Sequence, residues 1–273
     1  MGDTVLIFKK SVFKSGLVKV VAYHGGESVV DGVVEHVTPG ERVMRLFRER
    51  VDIDTGEILV AVADPVASGR RSKSRFMDYA LNHQWDWFVT ITLDPKKCNR
   101  YEDQFINVSQ WLRHVRNRQY SGLEYALVPE KHKDGAWHYH ALLSGVPESA
   151  MTASGKYSHG RELYIWDDAV NRWGWSTAGR IDSSERAVRY ITKYMGKSLE
   201  LGSIRGAGSR RWSVSAGVER CTFEKISRPW FYDFGPDWFE VASGSLPVAW
   251  VRWGSADDAW VTDIETPAGS RPA

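Results

Sequence analysis

Alternating side chains along residues 136–143 predict a β-strand with two histidines on one face. In a strand, successive side chains point to opposite faces of the sheet. His138 and His140 therefore share one face. Tyr139 and Ala141 lie on the other face. Two imidazoles side by side make half of a metal-binding site.

The residues just before this strand predict its hairpin partner. A three-residue loop that ends at Gly135, in the left-handed conformation, is a common hairpin connection. That loop places Glu130 opposite His138 on the same face, where its carboxylate joins the two imidazoles. A two-residue loop would instead pair Glu130 with Tyr139 on the other face. In that register His132 is the alternative ligand.

The run at residues 87–95 favours a second strand, because it is rich in β-branched and aromatic residues. Its apolar side chains alternate with Thr90 and Thr92, so one face is apolar and the other carries two hydroxyl groups. Further periodicities predict helices at 76–84, 100–119 and 162–173, a polar loop at 151–155 and a strand at 175–181.

A helix predicted at residues 185–199, capped by Ser183 or Ser184, separates an apolar stripe from a polar face. The stripe consists of Val188, Ile191, Met195 and Leu199. The polar face consists of Tyr190, Lys193, Tyr194 and Lys197. Two tyrosines four residues apart have Cβ atoms about 5–6 Å from each other, and the lysine between them can hold an anion.

Two imidazoles and one carboxylate suit a divalent ion such as Mn²⁺, and Mg²⁺ is tolerated where water and phosphate oxygens complete an octahedron. The tyrosines need activation, because a phenol with a pKa of about 10 is a poor nucleophile at neutral pH. A neighbouring cation or a metal-polarised target makes it reactive. Taken singly, each motif also fits an ordinary half-buried strand or the solvated face of a helix.

The chain before residue 76 divides into a β-rich part and a basic part. Short β-branched runs between glycine turns predict strands over residues 1–63. Residues 64–69 predict a linker, and the basic cluster that follows consists of Arg70, Arg71, Lys73 and Arg75. The cluster suits phosphate contacts or a solvated linker. We therefore divide the chain into an N-terminal extension at 1–75, a main domain at 76–225 and a C-terminal segment at 226–273.

Composition is that of a globular protein with a sizeable core. Of the 273 residues, 26% are charged and 42% are hydrophobic, which is the usual balance for such proteins. The net charge of +2 is unevenly distributed, because residues 231–273 carry −5 and residues 1–230 carry +7. A basic body with an acidic, tryptophan-containing tail indicates a polyanionic partner or, alternatively, a solvated surface of mixed sign.

Neither a membrane span nor a secretion signal is predicted. No apolar run approaches the roughly 18 residues of a membrane span, and the N-terminus has no apolar core behind a basic start. Cys98 and Cys221 are too few for a disulfide framework and match no metal spacing. These features predict a cytoplasmic protein with reduced thiols and no membrane partner.

Taken in order, the motifs closely resemble those of the HUH endonucleases that initiate rolling-circle replication. The order is the strand with Thr90 and Thr92, then Glu130 with His138 and His140, then the helix with Tyr190, Lys193 and Tyr194. The sequences of residues 130–143 and 187–197 are similar to the phage and plasmid type of replication initiator. The resemblance covers residues 76–220 and leaves residues 1–75 and the acidic tail outside it.

The resemblance implies an α+β fold with a central antiparallel sheet, an RRM-like or ferredoxin-like HUH core flanked by helices, here with a β-rich N-terminal extension. It implies a divalent metal ion, Mn²⁺ or Mg²⁺, held by His138, His140 and Glu130. In the family this ion polarises the scissile phosphate of single-stranded DNA. Thr90, Thr92 and the basic cluster at Arg70–Arg75 are further candidate DNA contacts.

The resemblance also assigns the tyrosines. Tyr190 is implied as the first nucleophile, which leaves a 5′-phosphotyrosine and a free 3′-OH that primes synthesis. Tyr194 is implied as the second nucleophile, although family members with a single tyrosine leave it a structural role. Lys193 steadies the phosphate or lowers a phenol pKa.

The implied function is a replication initiator that nicks single-stranded DNA at an origin and rejoins strands to end a round of replication. Its implied partners are a helicase and a polymerase supplied by a bacterial host, in the host cytoplasm. The alternatives are a relaxase or single-strand transposase of the same superfamily, and a non-catalytic DNA-binding regulator that keeps the fold.

Overall fold

The computed structural model describes most of the chain in separate stretches. These are residues 6–24, 26–30, 33–37, 50–51, 58–59, 65–97, 104–131, 136–200, 211–226, 239–243, 246–255 and 257–258.

The described residues form strands and helices with the following bounds. The strands are β1 (Leu6–Val12), β2 (Leu17–His24), β3 (Gly26–Val30), β4 (Val33–Val37), β5 (Arg50–Val51), β6 (Ile58–Leu59), β7 (Trp87–Leu93), β8 (Glu124–Lys131), β9 (Trp137–Ser144), β10 (Met151–Ser158), β11 (Arg161–Trp166), β12 (Gly174–Arg180), β13 (Ser213–Val214), β14 (Phe223–Ile226), β15 (Phe239–Ser243) and β16 (Leu246–Ser255). The helices are α1 (Pro65–Ala80), α2 (Phe105–Arg118), α3 (Asp167–Trp173) and α4 (Ser184–Glu200), with a 3₁₀ turn at Glu148–Ala150.

The chain divides into two compact units, one of Met1–Ala67 with Cys221–Ala273 and one of Ser68–Arg220. In the first unit, strands from both ends of the chain form an antiparallel sheet in the order β14, β1, β2, β16, β15. Two short hairpins, β3–β4 and β5–β6, pair separately. Val18, Val20 and Ala22 of β2 are fully buried in this unit.

The second unit is built on a seven-stranded sheet. Its order is β10, β11, β12, β7, β9, β8, β13, and every neighbouring pair is antiparallel. Strands β7 and β9 therefore lie in the interior of the sheet, with β8 and β12 beside them. The predicted α+β class with an antiparallel sheet and flanking helices is confirmed at this level, and the RRM-like arrangement stays a prediction.

One face of this sheet, which we call the core face, packs against α2 and α3. Its core joins Ile91 and Tyr139 from the sheet to Leu112 of α2 and Ala169 of α3, all fully buried. The backbone N–H of Gln104, at the start of α2, donates to the Tyr139 hydroxyl at 2.9 Å. Burying each large apolar side chain stabilises the fold by roughly 1.5–3 kcal/mol, so this layer fixes the strands that carry the histidines.

The opposite face, which we call the site face, is partly covered by α4, which packs on β8 and β9. Val188, Ile191 and Met195 are buried, which confirms the predicted apolar stripe for these residues. The side chains of Lys197 and Leu199 lie outside the described residues.

Two serines at the start of α4 have different roles. The Ser183 hydroxyl accepts a hydrogen bond from the backbone N–H of Arg186 at 3.3 Å, which is the arrangement of an N-cap. Ser184 instead accepts from the backbone N–H of Trp85 at 2.9 Å. One serine therefore begins the helix, and the other ties it to the chain before β7.

The segment at residues 65–75 is helical, so the predicted linker is wrong there. Helix α1 spans Pro65–Ala80, whereas the prediction placed a helix only at 76–84. Proline suits the first helical position because its φ is fixed, and Ala, Arg and Lys are good helix formers. Phe76 and Ala80 are fully buried, and Trp212 packs on Phe76 with ring centroids 5.8 Å apart. This packing stabilises a helix whose polar composition is also typical of a linker.

Residues 151–166 form a hairpin, so the predicted loop at 151–155 and the first part of the helix predicted at 162–173 are wrong. Strands β10 and β11 pair here, and only Asp167–Trp173 is helical. Aromatic and β-branched residues dominate the end of β11, and they favour a strand once a neighbouring edge is present. The buried Trp166 fits a helical period as well as a strand, so the sequence pattern did not separate the two.

The remaining predicted elements are close to those in the structure. The predicted helix at 100–119 corresponds to α2, with residues 100–103 outside the described part. The predicted strand at 175–181 corresponds to β12. Among the described residues, no helix is long and apolar enough to span a membrane.

Candidate active site

Three side chains lie in one row across the centre of the site face. Glu130 of β8 is directly opposite His138 of β9, and His138 is directly opposite Thr92 of β7. Directly opposed residues of antiparallel strands point to the same face. The predicted pairing of Glu130 with His138 is confirmed, and the alternative pairing with Tyr139 is wrong. His132, the alternative ligand, lies outside the described residues.

The adjacent row centres on His140, which is directly opposite Thr90. Its Nδ1 lies 3.1 Å from the Thr90 hydroxyl, and its Nε2 lies 2.8 Å from a carboxylate oxygen of Glu130. His140 and Glu130 are 4% and 5% exposed. In such a buried place these hydrogen bonds are electrostatically stronger than in water. Thr90, predicted as a DNA contact, here orients an imidazole.

Helix α4 brings both tyrosines of the predicted polar face against the sheet. The Tyr194 ring stacks on the His140 ring, with centroids 3.6 Å apart and planes inclined by 19°. Tyr190 meets Phe88 edge-on at 5.4 Å. The Tyr194 hydroxyl donates to the Tyr190 hydroxyl at 2.8 Å. The histidine strand and the tyrosine helix, distant in sequence, therefore form one cluster.

The two tyrosines have different surroundings. Tyr190 is 47% exposed, whereas Tyr194 is half-buried on His140. Burial raises the pKa of Tyr194 well above its usual value, and the hydrogen bond to Tyr190 and the nearby charge of Glu130 raise the pKa further. Tyr194 therefore retains its proton and directs it at the Tyr190 oxygen. The predicted polar face is thus not uniform, because Tyr194 lies at its border with the buried stripe.

Lys193 lies beside the more exposed tyrosine. Its Nζ is 5.2 Å from the centroid of the Tyr190 ring, within the range of a cation–π contact. The side chain is exposed, so its charge is accessible to an anion that approaches the Tyr190 hydroxyl.

Glu130 and His140 are the two predicted metal ligands whose side chains the structure brings into contact. Their oxygen and nitrogen are 2.8 Å apart, close to the roughly 3 Å between adjacent ligands that each lie about 2.1 Å from an octahedral ion. A carboxylate with imidazoles suits the predicted Mn²⁺ or Mg²⁺ only when water or phosphate oxygens complete the set. Within the described residues, no group of three or more His, Cys, Asp or Glu side chains is positioned to hold a metal ion.

The basic cluster lies on α1, an element separate from those that carry the histidines and tyrosines. Lys73 and Arg75 are exposed. The side chains of Arg70 and Arg71 lie outside the described residues. Exposed cations on a helix suit phosphate contacts, and their role in DNA binding stays a prediction.

Sequence reasoning did not single out Trp175, which the structure places on the site face in the same row as Thr92 and His138. Trp175 of β12 is directly opposite Thr92 and is 69% exposed. Alternation along the strand carried the signal, because Ser176 and Ala178 are buried while Trp175 and Thr177 are exposed. A tryptophan on the open side of a half-buried strand is the feature that would have identified it.

Comparison with known proteins gives one match. Residues 86–199 match the family described as Replication-associated protein ORF2/G2P. This range contains all six residues predicted for chemistry, namely Glu130, His138, His140, Tyr190, Lys193 and Tyr194. The match supports a replication-associated protein. No curated protein and no solved structure matches the chain significantly.

Proposed function

We propose that this chain is a replication initiator endonuclease of the HUH superfamily, which nicks single-stranded origin DNA and rejoins it to end rolling-circle replication. One observation carries the proposal. Tyr194 of α4 lies directly on the histidine strand, stacked on His140, and it is hydrogen-bonded to Tyr190. Tyrosines on a purely solvated helix face would point into solvent and would not contact a buried carboxylate–imidazole pair.

Glu130, His138 and His140 are the residues that would hold the divalent ion. When bound, a divalent ion supplies Lewis-acid polarisation of a phosphate oxygen. Thr90 sets the orientation of His140 through Nδ1, which leaves Nε2 toward Glu130. Such an outer hydrogen bond fixes the ring and the tautomer of a ligating histidine.

Tyr190 is the first nucleophile in this proposal. Tyr190 is the more exposed of the two tyrosines, and its oxygen already accepts the Tyr194 hydrogen bond, which would stabilise negative charge on the attacking oxygen. The Tyr190 oxygen bonds to phosphorus, and the bond from phosphorus to the 3′ oxygen breaks. The leaving 3′ oxygen takes up a proton in exchange for the one that the phenol gives up. The products are a 5′-phosphotyrosine and a free 3′-OH.

Tyr194 would serve in the second transfer, which releases the finished strand. The raised pKa of Tyr194 and its hydrogen bond suit it first to donate to Tyr190. Tyr194 would react only after Tyr190 is esterified. Lys193, beside the Tyr190 ring, would steady the phosphate. Because the ester conserves the bond energy, strands are rejoined without a nucleotide cofactor.

The proposal places the chain at a replication origin in a bacterial host cytoplasm. Single-stranded DNA is the substrate, and the host supplies the helicase and the polymerase. The free 3′-OH is the primer on which that polymerase acts.

Covalent capture tests the proposal. The full chain is incubated with Mn²⁺ and labelled single strands tiled across the replicon that carries its gene, and adducts are resolved on denaturing gels and mapped by mass spectrometry. Tyr190→Phe, Tyr194→Phe and the double variant are compared with Tyr157→Phe, a matched change at a tyrosine that is 67% exposed outside the cluster. We expect an adduct on Tyr190 that is lost in Tyr190→Phe and retained in Tyr157→Phe.

A second candidate is a non-catalytic DNA-binding regulator. It is favoured by the lack, among the described residues, of a group of three side chains positioned for a metal ion. Tight binding of single strands without an adduct at any Mn²⁺ concentration would establish this alternative over the nickase.

A further inference from the structure

The outer half of the site face, on β12, is open to solvent. Along this strand Ser176 and Ala178 are buried on the core face, while Trp175 and Thr177 are exposed on the site face. A tryptophan that is 69% exposed gains little from burial. Its large flat ring is therefore available to a ligand on the same face as the histidines.

The strand register links this ring to the cluster. Trp175, Thr92, His138 and Glu130 form one continuous row across β12, β7, β9 and β8. Neighbouring strands are about 4.8 Å apart, so the Trp175 backbone is roughly 10 Å from that of His138. That distance corresponds to about three stacking steps of 3.4 Å in a nucleic acid strand.

The neighbouring side chains are polar and small. Thr92, directly opposite Trp175, and Thr177, two residues further along β12, offer hydroxyl groups on the same face, and such groups donate to phosphate or sugar oxygens. Residues 68–220 carry 24 Lys and Arg against 16 Asp and Glu, a net charge of +8. A positively charged unit that presents an isolated aromatic ring has the composition of a surface that binds unpaired nucleic acid.

We propose that Trp175 is a stacking platform for one unpaired base of single-stranded DNA, within about three nucleotides of the phosphate held at the His138–His140 strand. This inference rests on the proposed function and deepens it by naming a residue that holds the substrate strand. Stacking uses the face of the base, so it tolerates any sequence. In a duplex those faces are already stacked, so the platform selects single strands.

Equilibrium binding of the full chain tests the platform separately from the chemistry. Fluorescence anisotropy is measured with labelled oligo(dT), with an abasic strand of equal length and with a duplex, all in EDTA so that no cleavage occurs. Trp175→Leu removes the aromatic face but keeps an apolar side chain, and Trp175→Phe keeps a ring. Ile106→Ala, at a site on α2 that is 68% exposed and lies on the core-face side, is the remote control.

We expect Trp175→Leu to bind oligo(dT) roughly 5- to 150-fold more weakly than the wild type. Trp175→Phe should recover most of this loss, and Ile106→Ala should bind as the wild type does. On the abasic strand, Trp175→Leu and the wild type should be equal, because no base is present to stack. The melting temperature of Trp175→Leu should be unchanged, since the ring is exposed.

Two results would overturn the platform: equal affinity of Trp175→Leu and wild type for oligo(dT), or an equal loss on the abasic strand. Covalent capture reports on the nickase independently of these measurements. If the protein forms no adduct and Trp175→Leu still loses affinity only for strands that carry bases, the platform proposal stands and the nickase proposal is refuted. If the Tyr190 adduct forms and Trp175→Leu binds oligo(dT) as the wild type does, the nickase proposal stands and the platform proposal is refuted.

Discussion

The two faces of the seven-stranded sheet carry different kinds of side chain. On the core face, Ile91, Leu127 and Tyr139 are fully buried beneath α2 and α3. On the site face, the same three strands present Thr90, Glu130 and His140, and α4 covers only part of them. On the core face, burial stabilises the fold in proportion to the apolar area removed from water. On the second face, each buried polar atom needs a partner, since an unsatisfied one costs about 1–3 kcal/mol.

This difference teaches where each kind of substitution acts. Because successive residues of one strand point to opposite faces, a change at residue 139 and one at residue 140 test separate properties. The core face determines whether the strands form at all. The site face determines which polar groups the formed sheet presents to a ligand.

Removing an imidazole from the site face has the largest expected effect. We expect His140→Ala to slow adduct formation about 10²- to 10⁴-fold, because in the proposed reaction a bound metal ion would polarise the phosphate, and such polarisation is worth several kcal/mol. The measurement is the initial rate of adduct formation on single strands in Mn²⁺. Ile106→Ala is the control, and a His140→Ala protein that cleaves at the wild-type rate would refute the metal role.

Removing a core-face side chain tests the other half of the comparison. Leu127→Ala should lower the free energy of unfolding by about 2–5 kcal/mol, since Leu127 is fully buried in the apolar core. Urea unfolding measures this loss. The adduct rate per folded molecule should stay at the wild-type value, and a rate that fell without a loss of stability would contradict the division between the faces.

A smaller effect should follow from loosening His140 without removing it. Thr90→Val deletes the hydroxyl that contacts Nδ1 at 3.1 Å and keeps the shape of the side chain. Outer hydrogen bonds of ligating histidines are worth about 10- to 100-fold in metal affinity. We expect the Mn²⁺ concentration for half-maximal adduct formation to rise by that factor. The control is Thr152→Val on β10, which removes a hydroxyl that donates to Asp167 of α3 and should leave that concentration unchanged.

The smallest expected loss of stability comes from breaking an ion pair between α2 and β8 of the sheet. Arg116 donates to Glu124 at 2.7 Å. Burial raises the pKa of Glu124, but hydrogen bonds from Arg116 and Ser215 lower it by more, so the pKa lies below its ordinary 4.5. Glu124→Gln should lower the free energy of unfolding by about 1–2 kcal/mol at neutral pH.

The same pair fixes the sign of a pH dependence. A carboxyl group whose folded pKa is lowered contributes stability above its unfolded pKa and loses it as pH falls through the folded value. The advantage of the wild type over Glu124→Gln should therefore be constant above the ordinary value of 4.5 and shrink below it. Urea unfolding across this range checks it, and an advantage that grew on acidification would refute the ion pair.

Local pattern predicted the parts of the site but not how they meet. Period-two alternation placed the histidines on one face, and the helical period placed Val188, Ile191 and Met195 in the core. The stacking of Tyr194 on His140 was not predicted, because the helical period assigned Tyr194 only to the polar face of the helix. The helix predicted over residues 162–166 was wrong, and these residues form a paired strand. The spacing of apolar residues there fits a strand as well as a helix.

The sequence by itself determined which residues share a face, because backbone geometry repeats over two residues in a strand and over 3.6 in a helix. It limited the partner of Glu130 to His138 or Tyr139, because the length of the hairpin loop sets the register, and the structure has the pairing with His138. Only the tertiary structure decided that Trp175 lies in the same row, and that strands from both ends of the chain share one sheet. Those pairings join distant segments, and they are selected by the surfaces that bury together rather than by any local repeat.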